Sequence, residues 1–463
     1  MTNKELLQKK VAMISLGCDK NTVDAEKMLY NITNYGFNVV SDINEASIVI
    51  INTCAFILDA RKESISKIFE VVNLKSQNVE KIIVTGCLPQ KSYDEVCASI
   101  PEVDAFVRIK NNDKIVDTIC NLYGVEKDTK VKSSGFRVQS TPKYTAFLKI
   151  ADGCNNFCSY CTIPFIRGRY KSEPIEELVN EAKQLVKNGV RELILVAQDV
   201  TNYGIDLYKE NKLVELLQRL SKIKDLKWIR LHYCYPNLIT DELLNEIMIN
   251  DKICKYLDIP LQHISTNVLR NMNRQDTKES IESLIKKIRN LPKYVAIRST
   301  FIVGFPKETR KDFDELKQFL TEYKLDNVGF FKYSREENTR AYFMKGQVFE
   351  FIKNKRLNSI EQLQNEILLN NQKNYIGKTL NCLCEGLVEN SEDKNIYRFR
   401  SEYNSYDVDT YIFVENDKVL SSGDFYNVKI TGTENQDLIG EINYEFTLSK
   451  SLTVITKPRT AFF

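Results

Sequence analysis

Residues 147–161 read FLKIADGCNNFCSYC, a strand-like run followed by three cysteines in C-x3-C-x2-C spacing: Cys154, Cys158 and Cys161, here called the barrel triad. Three thiolates at the end of one strand can converge on one metal centre. A zinc site would need a fourth protein ligand, and no further Cys or His lies close by. A 4Fe–4S cluster normally takes four cysteines, so three would leave one iron open. The spacing favours an iron–sulfur site over zinc, or over chance thiols in a loop.

The segments after this motif alternate between strand and helix patterns. Six strand candidates follow one another: FLKIA, ELILVA, WIRLHY, KYLDIPL, VAIRSTFIVG and NVGFFKY. Helix-like segments such as SEPIEELVNEAKQLVKNG lie between them. Six consecutive βα units predict an α/β partial barrel, short of a closed eight-stranded one, which we assign to residues 140–370.

Residues 1–125 show the same alternation, which predicts a doubly wound parallel sheet. The apolar runs VAMISLG, SIVIINT and KIIVTG are followed by Cys18, Cys54 and Cys87, here called the N-terminal triad. Strand ends of this kind meet at the carboxyl edge, where open α/β sheets build their sites. We favour a second cluster here over three simply buried cysteines. The polar residues 110–143 lack periodicity and are predicted to be a linker.

The chain ends in a different type of structure. After one long polar helix, residues 371–441 read as short strands with polar turns, a small all-β domain. Residues 442–463 form a tail of unknown role. Cys382 and Cys384 lie two residues apart on one strand and so face the same side. We interpret these two as structural, together with Cys97, Cys120, Cys234 and Cys254.

The composition of the 463 residues is that of an ordinary globular protein, with 43% hydrophobic and 27% charged residues. No apolar run is long enough for a membrane helix, and the first residues carry no cleavage site, so we expect a cytoplasmic protein without a membrane partner. Twelve cysteines and two histidines in that compartment favour thiolate ligation over disulfides. A net charge of +3 is too small to indicate nucleic acid.

The quoted motifs resemble a known family. GCNNFCSYCTIPFIRGRYKS resembles the cluster motif of radical S-adenosylmethionine enzymes. GCDKN, INTCAFI and TGCLPQ resemble the N-terminal domain of the methylthiotransferases, and the all-β end resembles their TRAM domain. The likeness covers residues 10–440, and RLHYCYPNLITDEL and KYLDIPLQHISTNVL resemble the branch that modifies a ribosomal protein. Asp19 departs from the pattern, because the family usually has proline there.

The resemblance implies a radical mechanism with two 4Fe–4S clusters. In such enzymes the barrel triad holds a cluster whose open iron chelates S-adenosylmethionine, and one electron cleaves the sulfonium to a radical that takes hydrogen from an unactivated carbon. The N-terminal triad holds an auxiliary cluster that carries or delivers the sulfur, which a second S-adenosylmethionine methylates. No catalytic side chain beyond the cluster ligands is implied. The resemblance also implies a low-potential electron donor and allows a ribosome contact.

Smaller features suggest the cofactor site. Tyr160 resembles the aromatic residue beside the adenine, although a loop aromatic in the core explains it equally well. Gly304 resembles a glycine near the cofactor, although a tight turn also accounts for it. Gln198 and His263 end strands at the predicted active end, where a structural role for the histidine is the simpler reading. A short basic run either steers an anionic substrate or is a solvated face: Arg167, Arg169 and Lys171.

Charge helps to separate a protein substrate from RNA. Residues 375–440 contain 6 Lys and Arg and 12 Asp and Glu, a net charge of −6. An acidic β-domain is a poor RNA platform and suits a basic ribosomal protein. The resemblance implies methylthiolation of the β-carbon of an aspartate in the S-twelve protein of the small subunit, and the charge agrees with a protein substrate. The alternatives are methylthiolation of a modified adenosine in tRNA, and a non-catalytic iron–sulfur or zinc scaffold.

Overall fold

The computed structural model describes residues 1–127, 136–390 and 395–444. Its first part is a parallel sheet in the order β2-β1-β3-β4-β5. The strands are β1 Lys10–Ser15, β2 Asn38–Val39, β3 Ile48–Thr53, β4 Lys81–Gly86 and β5 Ala105–Phe106. The helices are α1 Asn3–Leu6, α2 Asp19–Tyr35, α3 Leu58–Val72, α4 Cys87–Lys91, α5 Tyr93–Ser99 and α6 Ile115–Leu122. Strand β3 is buried along its whole length, as a central strand covered on both faces must be, and the doubly wound prediction is confirmed.

The linker prediction was wrong over α6. Ile115 and Ile119 of this helix are fully buried and pack in one core with Met28 of α2. The helix is short and apolar on one side only, and polar residues precede and follow it, so its helical spacing of apolar residues was not recognisable in the sequence.

The second part is a six-stranded parallel sheet in the order β13-β12-β11-β10-β9-β6, which confirms the partial barrel. Its strands are β6 Thr145–Lys149, β9 Glu192–Val196, β10 Trp228–Leu231, β11 Ile253–Asp258, β12 Ala296–Val303 and β13 Asn327–Lys332. Two short strands, β7 Ala151–Asp152 and β8 Lys171–Ser172, pair beside it. The helices are α7 Ile163–Ile166, α8 Ile175–Lys187, α9 Ile205–Tyr208, α10 Leu213–Ser221, α11 Asp241–Ile249, α12 Thr266–Asn271, α13 Lys278–Arg289, α14 Arg310–Tyr323 and α15 Glu350–Lys373. None of the helices in the described ranges has the length and apolarity needed to cross a bilayer.

The two faces of this sheet differ in chemistry because strand side chains alternate. Leu193, Ile229 and Leu257 belong to the large apolar core shared with the helices. Their neighbours Glu192 and Arg230 belong to the opposite, concave face, where they are buried in a polar network. The concave face therefore needs polar partners from elsewhere in the chain.

The third part is a closed five-stranded β-barrel that supplies those partners. Its strands are β14 Thr379–Asn390, β15 Asn395–Ser401, β16 Ile412–Glu415, β17 Phe425–Glu434 and β18 Asp437–Ile442. Arg400 of β15 binds Glu192 at 2.6 Å, and Phe425 of β17 stands edge-on to Trp228 at 4.8 Å. The predicted tail 442–463 lies outside the described residues from 445 onward. Cys382 and Cys384 are both fully buried in the barrel core, as their spacing predicted.

The N-terminal domain lies across the carboxyl edge of the partial barrel. Lys20 at the start of α2 lies over the ring of Tyr233, 3.5 Å from its centroid. Glu336, after β13, binds Arg61 at 3.1 Å and Lys91 at 3.2 Å. These contacts join the N-terminal domain to the carboxyl edge of the partial barrel.

Candidate active site

The barrel triad lies in the loop that follows β6 and β7. The Cys154 amide donates to the Gly168 carbonyl at 3.2 Å, which ties the start of the loop to its return. The sulfurs of Cys154 and Cys161 accept backbone N–H groups of Asn156 and Ile163 at 3.4 and 3.5 Å. Amides that donate to sulfur stabilise a thiolate.

Because burial raises the pKa of these thiols, they need a positively charged partner to lose their protons. Burial raises the pKa of Cys154 to about 11, and the neighbouring Cys158 adds to this. Burial and the charge of Cys158 also raise the pKa of Cys161. Metal coordination is the usual way to deprotonate a thiol in such surroundings.

Tyr160 lies inside the triad and is partly buried against an apolar cluster. Its ring meets Phe305 edge-on at 6.3 Å. Burial raises the pKa of the Tyr160 phenol well above its usual range, as does the charge of Cys158. The buried Arg274 stacks on Tyr235 at 4.3 Å and interacts electrostatically with Cys158 and Tyr160. Sequence reasoning missed Arg274, because nothing in NRQD marks it as buried.

Gln198 follows β9 at the same edge. Its amide nitrogen donates to Asp152 at 3.0 Å, and its Oε1 is buried without a hydrogen-bond partner among the described residues. Unsatisfied buried oxygens are rare and call for a partner such as a ligand or water.

Gly304 directly follows β12, and His263 lies in the loop after β11. Gly304 has φ +74°, and a Cβ there would lie 2.3 Å from the Lys353 side chain. Its amide donates to Glu308 at 2.6 Å, so the residue occupies the tight turn considered above. His263 is fully buried, its Nδ1 accepts the Ser265 amide at 3.0 Å, and burial lowers its pKa to about 3. The imidazole is therefore neutral and hydrogen-bonded, in line with a structural role.

The N-terminal triad is brought together by two glycines and an asparagine. Gly17 has φ +91°, and a Cβ there would lie 2.9 Å from the Cys54 sulfur. Gly86, before Cys87, has φ +94° and lies against the β3 backbone. Asn21 of α2 donates to the Leu16 and Thr53 carbonyls, both at 3.0 Å, which ties the loops before Cys18 and Cys54 together. Sequence reasoning missed this role of Asn21.

The three N-terminal thiols influence one another electrostatically. Burial raises the pKa of Cys87 to about 12, Arg167 acts in the opposite direction, and Cys18 and Cys54 raise the pKa further. Burial raises the pKa of Cys54 as well, and Cys18 again adds to the effect. In the described ranges, no three His, Cys, Asp or Glu side chains are grouped so as to hold one metal ion. A 4Fe–4S cluster does not require that grouping, because its cysteines bind different irons.

Arg167 does not belong to a solvated face, unlike the rest of its basic run. Arg169 and Lys171 are exposed, as a solvated face predicts, but the Arg167 side chain is only 2% exposed. It bonds to Asp24 at 2.6 Å and to Asp152 at 3.0 Å, and thus joins the N-terminal domain to the barrel.

Asp19, the departure from the family pattern, lies beside His232, which in turn contacts the β-barrel. It pairs with Lys20 at 2.8 Å and lies 3.8 Å from His232 Nδ1, whose Nε2 is 2.7 Å from the Ser405 hydroxyl of the β-barrel. Burial alone would raise the pKa of Asp19, but Lys20 and His232 hold it well below its usual range. The carboxylate therefore stays charged beside Cys18.

Both triads suit iron–sulfur clusters. Each presents three buried or half-buried thiols at the carboxyl edge of a parallel sheet, with a buried arginine nearby: Arg274 and Arg167. The partnerless Gln198 oxygen near the barrel triad leaves one polar position for a bound molecule.

Comparison with known proteins agrees with this architecture. Residues 148–320 match the model of the radical SAM superfamily, residues 376–442 the TRAM domain, and residues 10–108 the uncharacterized protein family UPF0004. Two solved structures of the radical S-adenosylmethionine methyltransferase TsrM from Kitasatospora setae share the fold at 13% identity. They cover 72% and 70% of this chain and 77% and 73% of their own, with TM-scores of 0.56 and 0.52. A partial barrel with this cysteine motif defines a radical S-adenosylmethionine enzyme.

Curated relatives give the family within that class. A protein of Thermoanaerobacter sp. (strain X514), named ribosomal protein uS12 methylthiotransferase RimO, is 45% identical over 94% of this chain and 100% of its own. Proteins of the same name from Clostridium botulinum (strain Hall) and Caldanaerobacter subterraneus subsp. tengcongensis are also 45% identical. They cover 94% and 93% of this chain and 98% and 99% of their own. The chain belongs to the RimO family of methylthiotransferases.

Proposed function

We propose that this protein methylthiolates the β-carbon of an aspartate in uS12, the S-twelve protein of the small ribosomal subunit. The observation that carries the proposal is the 45% identity over 94% of the chain to relatives named for that substrate. Because the match spans all three domains, it includes the part of the chain that would meet the substrate.

The charge of the β-barrel supports a protein substrate. Residues 375–440 carry a net charge of −6, and Asp417, Asp424 and Glu434 lie exposed on the barrel surface. Complementary charge speeds the encounter with a basic partner such as a ribosomal protein and repels RNA phosphates. Contact with the rest of the ribosome and activity in the cytoplasm, where ribosomes are modified, belong to the same proposal.

We assign a 4Fe–4S cluster with S-adenosylmethionine to the barrel triad and an auxiliary 4Fe–4S cluster to the N-terminal triad. When bound, these groups supply radical chemistry, the sulfur atom and the methyl group. The chain's own contribution is to hold the two triads on facing surfaces and to exclude water between them. The buried contacts of Lys20 and Glu336 across the domain boundary serve that purpose. An external low-potential electron donor is part of the proposal.

Three residues are proposed to contact S-adenosylmethionine. Tyr160 offers a ring face beside the barrel triad, and Gln198 offers its partnerless Oε1. Gly304 has its amide committed to Glu308, so a contact with the cofactor would use its carbonyl or Cα.

Mass spectrometry of two candidate products tests the substrate. The reconstituted enzyme is incubated without oxygen with reductant and S-adenosylmethionine, and with uS12 in one vessel and tRNA in another. We expect a methylthio mass gain on an aspartate of uS12 and none on tRNA nucleosides. A gain on tRNA adenosine alone would refute the substrate assignment, and no product or deoxyadenosine in either vessel would favour a scaffold.

A matched pair of cysteine variants tests the auxiliary site. Cys87→Ala should abolish methylthiolation, whereas Cys97→Ala should leave it intact, because Cys97 lies in helix α5 outside both triads. Equal activity of the two variants would contradict the assignment.

A further inference from the structure

Arg167 is the only residue of its basic run that turns inward. It follows the barrel triad along the chain, yet its guanidinium reaches the N-terminal triad. Nη2 lies 3.9 Å from the Cys87 sulfur and donates to the Asn21 side-chain oxygen. Asn21 also holds the loops before Cys18 and Cys54, so one hydrogen-bonded unit links Arg167 to all three N-terminal thiol positions.

The carboxylates around Arg167 bind only the Nη1 end of its guanidinium. Asp24 and Asp152 both bind Arg167 Nη1, but both also bind Lys149, which lies 3.2 Å from Asp152. Two cations and two carboxylates thus balance within the network. The Nη2 end of the guanidinium, which carries two further N–H groups, faces the Asn21 oxygen and the Cys87 sulfur.

We propose that Arg167 is a positioning residue that sets the electron affinity of the auxiliary site, by directing positive charge and an N–H group at the Cys87 sulfur. The inference rests on the proposed function, in which the N-terminal triad holds a cluster. Hydrogen bonds and positive charge near cluster sulfurs favour the reduced form and raise the reduction potential. Because Arg167 also fixes the barrel to the N-terminal domain, the same side chain couples domain docking to the state of the auxiliary cluster.

Redox titration of the auxiliary cluster tests the proposal. The full-length protein is reconstituted in a background with Cys154→Ala, Cys158→Ala and Cys161→Ala, so that only the N-terminal triad can bind a cluster. The midpoint potential is followed by electron paramagnetic resonance, with iron and sulfide content measured on each sample. The variants are Arg167→Gln, Arg167→Lys and the matched control Arg169→Gln, which removes the same charge from an exposed position.

We expect Arg167→Gln to lower the potential, Arg167→Lys to stay closer to the unsubstituted protein, and Arg169→Gln to leave it unchanged. If Arg167→Gln cannot hold the cluster, retention by Arg167→Lys near the original potential supports the charge role, whereas loss in both variants overturns it. An unchanged potential in Arg167→Gln with full iron content also overturns it. Absence of any cluster in the background protein would refute the auxiliary site itself, and this inference with it.

Discussion

Replacing Glu192 with glutamine should loosen the β-barrel from the concave face of the partial barrel. Glu192 accepts hydrogen bonds from Arg400 at 2.6 and 3.2 Å, from Arg230 at 2.9 Å and from Thr145 at 2.9 Å. Both members of the Arg400–Glu192 pair are 0% exposed. A glutamine would turn an N–H₂ group toward the guanidinium groups, remove the carboxylate that pairs with Arg230, and leave Arg400 with Glu385 alone.

The expected loss of unfolding free energy is large for a single substitution. Removing one partner from a buried ion pair typically costs about 3–5 kcal/mol. The pKa of Glu192 gives a similar figure: burial would raise it, but Arg400 and Arg230 lower it from 4.5 to about 2, which corresponds to roughly 3 kcal/mol at neutral pH.

The assay is urea unfolding followed by tryptophan fluorescence. The chain has one tryptophan, Trp228, and its ring contacts Phe425 of the β-barrel, so the signal reports this interface. At a slope of about 1–3 kcal/mol per molar urea, we expect the midpoint to fall by about 1 M or more.

The matched control is Glu176→Gln. Glu176 also pairs with an arginine, Arg219, at 2.6 Å, but its side chain is 71% exposed, and such pairs contribute at most about 1 kcal/mol. If Glu192→Gln shifts the midpoint no further than this control, the buried network does not hold the β-barrel in place.

Three further predictions concern pH, the N-terminal triad and the substrate. The difference in unfolding free energy between the wild type and Glu192→Gln should be full above pH 4.5 and should fade as pH falls toward about 2, because the two arginines stabilise only the ionised carboxylate. Urea midpoints measured across that range test this, and a difference that does not change with pH would contradict it. Gly17→Ala should abolish binding of the auxiliary cluster, since the added Cβ would lie 2.6 Å from the Cβ of Cys54. The control Gly124→Ala has a similar positive φ, +65°, but open space around it, and should retain the cluster. Iron and sulfide content measured on both variants tests the prediction. Neutralising Asp417 and Glu434 should raise the KM for uS12 at low salt and leave kcat unchanged, and a KM indifferent to both changes would argue against charge-guided binding.

The sequence predicted the elements of the fold because their signals are local. Short apolar runs with intervening amphipathic segments suffice for a parallel α/β sheet, and the barrel triad is contained in eight consecutive residues, Cys154 to Cys161. Helix α6 was missed because its apolar face is short and flanked by polar residues.

The sequence was enough to predict the class of fold, the two cysteine triads as candidate cluster sites and the family resemblance, because period, spacing and motif are properties of neighbouring residues. The polar residues around the triads are known only from the three-dimensional structure. Arg167, Asn21 and Glu192 look like ordinary surface residues in the sequence, and each is buried by segments far away in the chain. Burial and the identity of a charged partner are set by long-range packing, and no local pattern encodes them.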